Sequence, residues 1–557
     1  MQGSEIIIKS LIAEDVKHLF GYPGGSVLPF FDALYDSPIN FILTRHEQGA
    51  AHAADGYARA TGKVGVCVAT SGPGATNLTT GLATAHMDSV PMVAFTGQVK
   101  TSLIGNDAFQ EADVTGITRS ITKHNYLVKD IKQLAPTIKE AFYLARTGRP
   151  GPVVVDIPVD IQFQDTEFHY PRDVNLRSYK PTYFGHPGQI KKLLKLISKA
   201  RRPVIIAGGG VISSDSYKEL FRFATKLDIP VICTLMGLGA FPATHKLSLG
   251  MPGMHGTVYA NTAITESDLL ISVGCRFDDR VTGKIKGFAP KAKIVHIDID
   301  PTSISKNISV DVPIVGDAKN ILGQAIEEIE SIEAPEFKDW NKHIADCKKK
   351  NPLKYSHSNV TIKPQQVIQE LYRQTKGKAI ITTEVGQNQM WAAQFYHFDY
   401  PRSFLSSGGL GTMGYGFPAA IGAKIGKPNK TVIDVAGDGS IQMNVQELAT
   451  VKAYDIDLKI VILNNSCLGM VRQWQELFYK RRYSATPLSN PDFVKIAKGF
   501  GVKGIRITKP KNLRKKLKEA LSYKGPVVVD VAVEGEENVF PMVPAGEAIN
   551  TMIGGMA

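Results

Sequence analysis

Twenty-four residues separate Gly439, in Gly437-Asp438-Gly439-Ser440, from Asn464-Asn465. An acid and an amide at that separation form half a shell for a hard divalent cation. Asp carboxylate, Asn carbonyl, a backbone carbonyl and phosphate oxygens suit octahedral Mg2+. The glycines let main chain approach a diphosphate. A second candidate lies far upstream, the carboxylate of Glu47 in Arg45-His46-Glu47-Gln48. The plain alternatives are an ordinary strand turn for Gly-Asp-Gly and a helix-start acid, favoured by the dipole, for Glu47. His46 and His52 flank Glu47 without a convincing metal spacing.

These residues need elements to hold them. Residues 431–436 are β-branched and apolar and read as a buried strand;. Val445, Leu448, Ala449 and Val451 recur at helical spacing, with Asn444 as N-cap;. Residues 458–463 read as a second strand. Strand, helix and parallel strand make one right-handed βαβ unit. It sets Asp438 and Asn465 just past the carboxyl ends of parallel strands, where open α/β sheets bind ligands. Residues 41–47 read as another strand, with Glu47 at its end, and 50–60 as an Ala-rich helix.

Three α/β segments follow along the 557 residues: 1–165, 187–335 and 359–557. A polar linker covers 162–186, and a charged stretch around 333–358 separates the second segment from the third. The first and third segments both place sharp glycine turns after strands, which hints at related folds. The tail after Phe540 is rich in Met, Gly and Ala and is expected to be mobile or to fold over the site. Nothing reads as a membrane span, and Ile6-Ile7-Ile8 is too short for a signal-peptide core;. Five dispersed cysteines, without a Cys-x-x-Cys pair, argue against disulfides or zinc and fit a reducing cytoplasm;. The net charge of +13 raises nucleic-acid binding as a rival function;. The Lys/Arg runs at 191–202 and 509–524 alternate with Leu and Ile at helical spacing, as solvated helix faces do;. No aromatics interleave to stack bases, so no nucleic-acid partner is expected.

With its Gly-Asp-Gly, spacer and Asn-Asn, the chain resembles the thiamine-diphosphate enzymes. That resemblance implies three doubly wound parallel-sheet α/β domains: a pyrimidine-binding domain at 1–165, a central FAD-binding domain at 187–335, and a diphosphate- and Mg2+-binding domain at 359–557. It implies Asp438, Asn465 and the Cys467 carbonyl as Mg2+ ligands. Gly439, Ser440, Leu468, Gly469 and Met470 are implied as further cofactor contacts. So are Val385, Gly386, Gln387 and Gly411. Met413 matches the bulky residue that wedges between the cofactor's two rings; a core methionine is its plain alternative. The run from Arg45 to Ala58 matches the family's catalytic-Glu segment. Glu47 would hydrogen-bond the aminopyrimidine N1′ and so help the cofactor deprotonate its own C2. The diphosphate would sit on a different subunit, which makes a homodimer, or a dimer of dimers, the active unit.

The closer resemblance is to the acetohydroxyacid synthases. It runs through Phe20-Gly-Tyr-Pro-Gly-Gly25, Phe109-Gln110-Glu111-Ala112-Asp113, Arg276-Phe277-Asp278-Asp279-Arg280 and Met470-Val-Arg-Gln-Trp474. It implies decarboxylation of pyruvate to a hydroxyethyl enamine, which condenses with a second pyruvate or with 2-oxobutyrate. The products are 2-acetolactate or 2-aceto-2-hydroxybutyrate, precursors of valine, leucine and isoleucine. Arg280 would hold the acceptor's carboxylate. Trp474 would select the larger acceptor, and Phe109, Gln110 and Gly25 would line the approach to the reacting carbon. The plain alternatives are a surface ion pair of Arg280 with Asp278 or Asp279, and a core Trp474.

The middle segment carries Gly208-Gly209-Gly210 after one strand and Asp298 after another. The resemblance implies a structural, non-redox FAD there. Arg149, the three glycines, Thr234 and Leu235 would contact it, as would Met254, His255 and Gly274. Arg276, Arg280, Asp298, Ile299 and Asp317 complete the implied set. Two positions depart from the family pattern: Asn388 stands where relatives carry His, and Val159 where many carry Lys. The family often adds a separate small regulatory subunit. The nearest rival reading is a pyruvate oxidase, in which the flavin is reduced.

Overall fold

The computed structural model describes residues 1–554 except 332 and 334. The first six strands are β1 (His18–Gly21), β2 (Asn40–Leu43), β3 (Gly65–Ala69), β4 (Met92–Gln98), β5 (His124–Leu127) and β6 (Pro152–Pro158). They form one sheet in the order β2-β1-β3-β4-β6-β5. Strands β7 (Pro203–Ala207), β8 (Val231–Cys233), β9 (Leu269–Val273), β10 (Lys293–Asp298) and β11 (Val312–Val315) form a second sheet. Its order is β11-β10-β9-β7-β8. The third sheet holds β12 (Ile380–Thr383), β13 (Phe404–Leu405), β14 (Val432–Gly437), β15 (Lys459–Asn464), β16 (Lys503–Ile507) and β17 (Val527–Ala532). It runs β13-β12-β14-β15-β17-β16.

Every ladder among these strands is parallel. Parallel sheets need both faces covered, so their strands read as continuous apolar runs rather than alternating ones. Strand β6 (PVVVDIP) is buried at every position, and β7 and β9 likewise. Numbered within their own sheets, the first and third share one strand order, 2-1-3-4-6-5. The middle sheet follows the same order without the sixth strand. In each, the order reverses beside the first strand, which opens a crevice at the carboxyl ends.

The first unit has its own core, where Leu19, Val93 and Val155 pack on Ile138 and Phe142 of the helix Leu134–Arg146. A second core runs unbroken from Ile205 and Val295 of the middle sheet to Ile381 and Val461 of the third. First and third units join through helix Glu47–Thr61 and helix Gly416–Gly426. Gly56 lies against Ala419, whose Cα a Cβ at Gly56 would approach to 2.6 Å. A buried charge cluster closes the far end of that joint. Arg59 Nε donates to Asp55 at 2.6 Å, its Nη2 to Asp88 at 2.9 Å, and its Nη1 to Ser406 O at 2.8 Å. Tyr415 OH donates to Asp55 at 2.6 Å. Asp88 in turn accepts Gly408 N and Gly409 N.

The structure corrects several boundaries. The strand expected over 41–47 stops at Leu43, and Glu47 is the first residue of its helix. His46 explains the early start, because its Nδ1 accepts from Gln48 N at 3.1 Å and caps the helix;. Asn444 is no N-cap. It breaks a 3-10 segment, Gln442–Glu447, and its Nδ2 donates to Gly414 O at 2.6 Å. The following helix is Leu448–Ala453. Within the charged stretch after 333, helix Lys338–Lys350 buries Trp340, whose Nε1 donates to Pro203 O. The described tail packs down: Val543 N donates to Met254 O, Lys284 N to Glu547 O, and Ile549 is fully buried.

Candidate active site

The crevice of the third sheet gathers the C-terminal candidates. Val385, Gly386 and Gln387 follow β12; Asp438, Gly439 and Ser440 follow β14; Asn465, Cys467, Leu468, Gly469 and Met470 follow β15. All of them line one small cavity of about 80 Å³, together with Met413 and Asn388. Met413 is half-buried on that wall rather than in the core. Gly386, at φ 141°, turns the chain from β12 into helix Gln387–Phe395.

Asp438 is 1% exposed, and burial pushes its carboxyl up to about 6. Its Oδ2 accepts from Asn490 Nδ2 at 2.6 Å. Its neighbours are amides and backbone N–H groups rather than cations. A buried carboxylate that shares one cavity with Asn465 and Cys467 offers, with their amide and backbone oxygens, a donor set of the kind a hard divalent cation takes;. Gln387 Nε2 donates to Gln473 and to Glu537 O, while its Oε1 accepts from Asn465 Nδ2 at 3.3 Å. Gln387 thus orients Asn465. Asn388 Nδ2 donates to Val435 O at 2.8 Å, so this departure from the family pattern secures β14.

A larger cavity of about 720 Å³ opens where all three units meet, within the size range of cofactor sites;. Its wall includes Arg149, Gly209, Gly210, Thr234, Leu235, Met254, His255 and Gly274. Arg276, Arg280, Asp298, Ile299 and Asp317 continue it. Gly208 lies behind that wall, against Gly274 O. Added to Gly210, a Cβ would come within 2.6 Å of Gly274 Cα, so the β7 and β9 turns meet backbone to backbone. Burial pushes His255 down to about 4, which leaves a neutral ring. Arg149 is held by Ser89 Oγ at 2.8 Å and Asp300 at 3.3 Å.

The third unit contributes Val385, Gly411, Met470 and Trp474 to the same cavity. Trp474 is half-buried there, edge-on to Phe478 at 5.7 Å, and so is not a core residue. Arg280 is 60% exposed and 3.6 Å from Asp279. Asp278 accepts Arg280 N and Val281 N and caps that short helix.

The remaining candidates cluster on the first unit. The segment 70–74 runs past Ser26, Gln110 and Glu47. Ser26 Oγ, beside Gly25, is 2.9 Å from Thr70 Oγ1. A Cβ on Gly72 would lie 2.7 Å from Gln110 O, and one on Gly74 3.3 Å from Glu47 Oε1. Glu47 is 8% exposed, and its Oε2 accepts from Asn77 Nδ2 at 2.9 Å. Phe109 is 88% exposed, and Gln110 holds φ 59°. Neither cavity includes Glu47, Gly25, Phe109 or Gln110. Among the described residues, these four therefore stand apart from both cavities.

Sequence reasoning missed Asn77, Asn490 and Glu384. Glu384, fully buried, accepts Gly414 N and Phe417 N and so holds the turn after Met413. Burial pushes it up to about 7. None of the three lies in a motif; only contact reveals them.

Three parallel sheets of one winding, with a Gly-Asp-Gly turn and an Asn pair at neighbouring strand ends, define a thiamine pyrophosphate enzyme. Family models agree along the chain. The N-terminal TPP binding domain matches residues 1–117, the central domain 190–325 and the C-terminal TPP binding domain 384–531. More narrowly, the chain belongs to the acetolactate synthase large subunits. It is 54% identical to the probable acetolactate synthase large subunit of Methanocaldococcus jannaschii, over 99% of this chain and 95% of that protein. It is 51% identical to the acetolactate synthase large subunit of Haemophilus influenzae, over 99% and 98%. Against the isozyme 3 large subunit of Escherichia coli the identity is 50%, over 99% and 98%. Among the described residues no helix is long and apolar enough to cross a membrane.

Proposed function

We propose that this chain joins two 2-keto acids, with pyruvate as donor and pyruvate or 2-oxobutyrate as acceptor, to give 2-acetolactate or 2-aceto-2-hydroxybutyrate with release of the donor's carboxyl group as CO2. The observation that carries the reading is that the third unit's crevice gathers Asp438, Asn465 and Cys467 while the buried Glu47 of the first unit lines neither cavity; we read these as two half-sites. Two copies of the chain, or a dimer of dimers, complete each other.

Asp438, Asn465 and the Cys467 carbonyl would hold Mg2+ against a diphosphate. The bound thiamine diphosphate supplies a carbon nucleophile at C2 that the protein lacks. Glu47 holds a proton against the pyrimidine N1′, with Asn77 fixing one of its oxygens. Met413, on the wall of the small cavity, would pack against the cofactor's rings. Arg280 takes the acceptor's carboxylate, and Trp474 covers its alkyl end. The large cavity takes FAD in a structural role, since carboligation transfers no net electrons. The relatives are named large subunits, which favours a separate small regulatory partner here too.

The test is direct. Purified protein with Mg2+, thiamine diphosphate and FAD should convert pyruvate to acetolactate, and pyruvate with 2-oxobutyrate to the mixed product. Acetate or acetyl phosphate in their place, with flavin reduction, would mean an oxidase and sink this reading.

A further inference from the structure

Glu447, Thr450 and Tyr454 line neither cavity and have no part in the roles above. They stand three and four residues apart, the spacing of one helix face. All three reach the same short stretch of the first unit. Arg45 N donates to Glu447 Oε1 at 2.9 Å. Leu43 N donates to Tyr454 OH at 2.9 Å. Thr450 Oγ1 donates to Glu447 Oε2 at 2.6 Å and lies 3.3 Å from Leu43 O. Glu447 is fully buried, and a Cβ on Gly49 would come within 2.6 Å of its Oε1.

The gripped backbone is the lead-in to Glu47. Strand β2 ends at Leu43 and the helix begins at Glu47. The direction of the Glu47 carboxyl therefore depends on where this three-residue turn, Thr44 to His46, sits. A misplacement of about 1 Å at a reacting group can cost on the order of 100-fold in rate.

We propose that Glu447, Thr450 and Tyr454 are positioning residues for Glu47. The third unit of one chain fixes the carboxyl that serves the cofactor held by its neighbour. The inference rests on the role of Glu47 given above.

Two readouts test it on the full-length protein. One is deuterium exchange at C2 of thiamine diphosphate bound with Mg2+. The other is backbone amide exchange over residues 43–49 without cofactor. Glu447→Ala should slow C2 exchange by about tenfold or more. It should speed amide exchange at Arg45 and leave cofactor affinity within about threefold, a loss in the reacting geometry rather than in binding. Glu447→Gln keeps an oxygen to accept from Arg45 N, and Thr450 can turn its hydrogen to Leu43 O, so both readouts should return towards wild type. Tyr454→Phe should shift both in the direction of Glu447→Ala, and it decides the matter should that variant not fold. If C2 exchange is unchanged in Glu447→Ala but slow in Glu47→Ala, the positioning role falls alone. If it is unchanged in both, the role of Glu47 falls and takes this inference with it. A Glu447→Gln protein as slow as Glu447→Ala also overturns it.

Discussion

At the scale of residues, environment sets what each candidate can do. Asp438 ionises only above about 6 in the absence of a cation, because burial opposes its charge. The sign follows: its folded value lies above the ordinary 3.8, so the fold prefers the proton-bound form. The cost of ionising it grows as pH rises from about 4 to about 6, and a bound cation offsets that cost. Mg2+ with thiamine diphosphate should therefore raise the melting temperature more at pH 7.5 than at pH 5. Equal shifts at both values would count against Asp438 as a ligand. Trp474 gives a second prediction. Trp474→Leu should lower the preference for 2-oxobutyrate over pyruvate by about 10- to 200-fold, since one methyl contact is worth about 1–3 kcal/mol. A competition assay with both acceptors reads the product ratio.

At the scale of elements, the joint between first and third units carries the burden. Arg59 sits between Asp55 and Asp88 with 10% of its side chain exposed, and Asp88 grips the backbone of Gly408 and Gly409. Removing the cation leaves two buried carboxylates unpaired. Arg59→Met should destabilise the protein by about 3–5 kcal/mol, read as a fall in the urea midpoint. A fall no larger than that of a surface substitution would show the cluster to be dispensable. The βαβ unit around Asp438 was legible because parallel strands advertise themselves as apolar runs and glycines mark their turns. The start of the Glu47 helix was not, since a histidine cap carries no strong sequence signal. Asn444 misled for a related reason: a good capping residue in sequence is recruited by Gly414 in space. The cavity walls were legible only through family resemblance. Residues such as Asn77 and Glu384, which act by contact alone, left no trace in the pattern.

At the scale of the whole molecule, the proposed pair of half-sites makes a forecast. Neither Glu47→Ala nor Asp438→Ala alone should turn over pyruvate. Unfolded together and refolded as a mixture, the two variants should regain activity, because one mixed pair joins an intact Glu47 to an intact Asp438. Random reassortment of equal amounts gives about a quarter of the wild-type sites. No recovery, with mixed dimers present, would mean that each site lies within one chain. The strand order common to the first and third sheets has its own consequence. One strand order, used twice, would serve as either jaw of the proposed site, which leaves the chemistry to the loops at the carboxyl ends rather than to the sheets. Arg280 and Trp474 lie outside those sheets, on a short capped turn and on the helix Gly469–Phe478. The range of acids this protein joins can therefore be retuned at its rim while both scaffolds, and the stability invested in them, stay as they are.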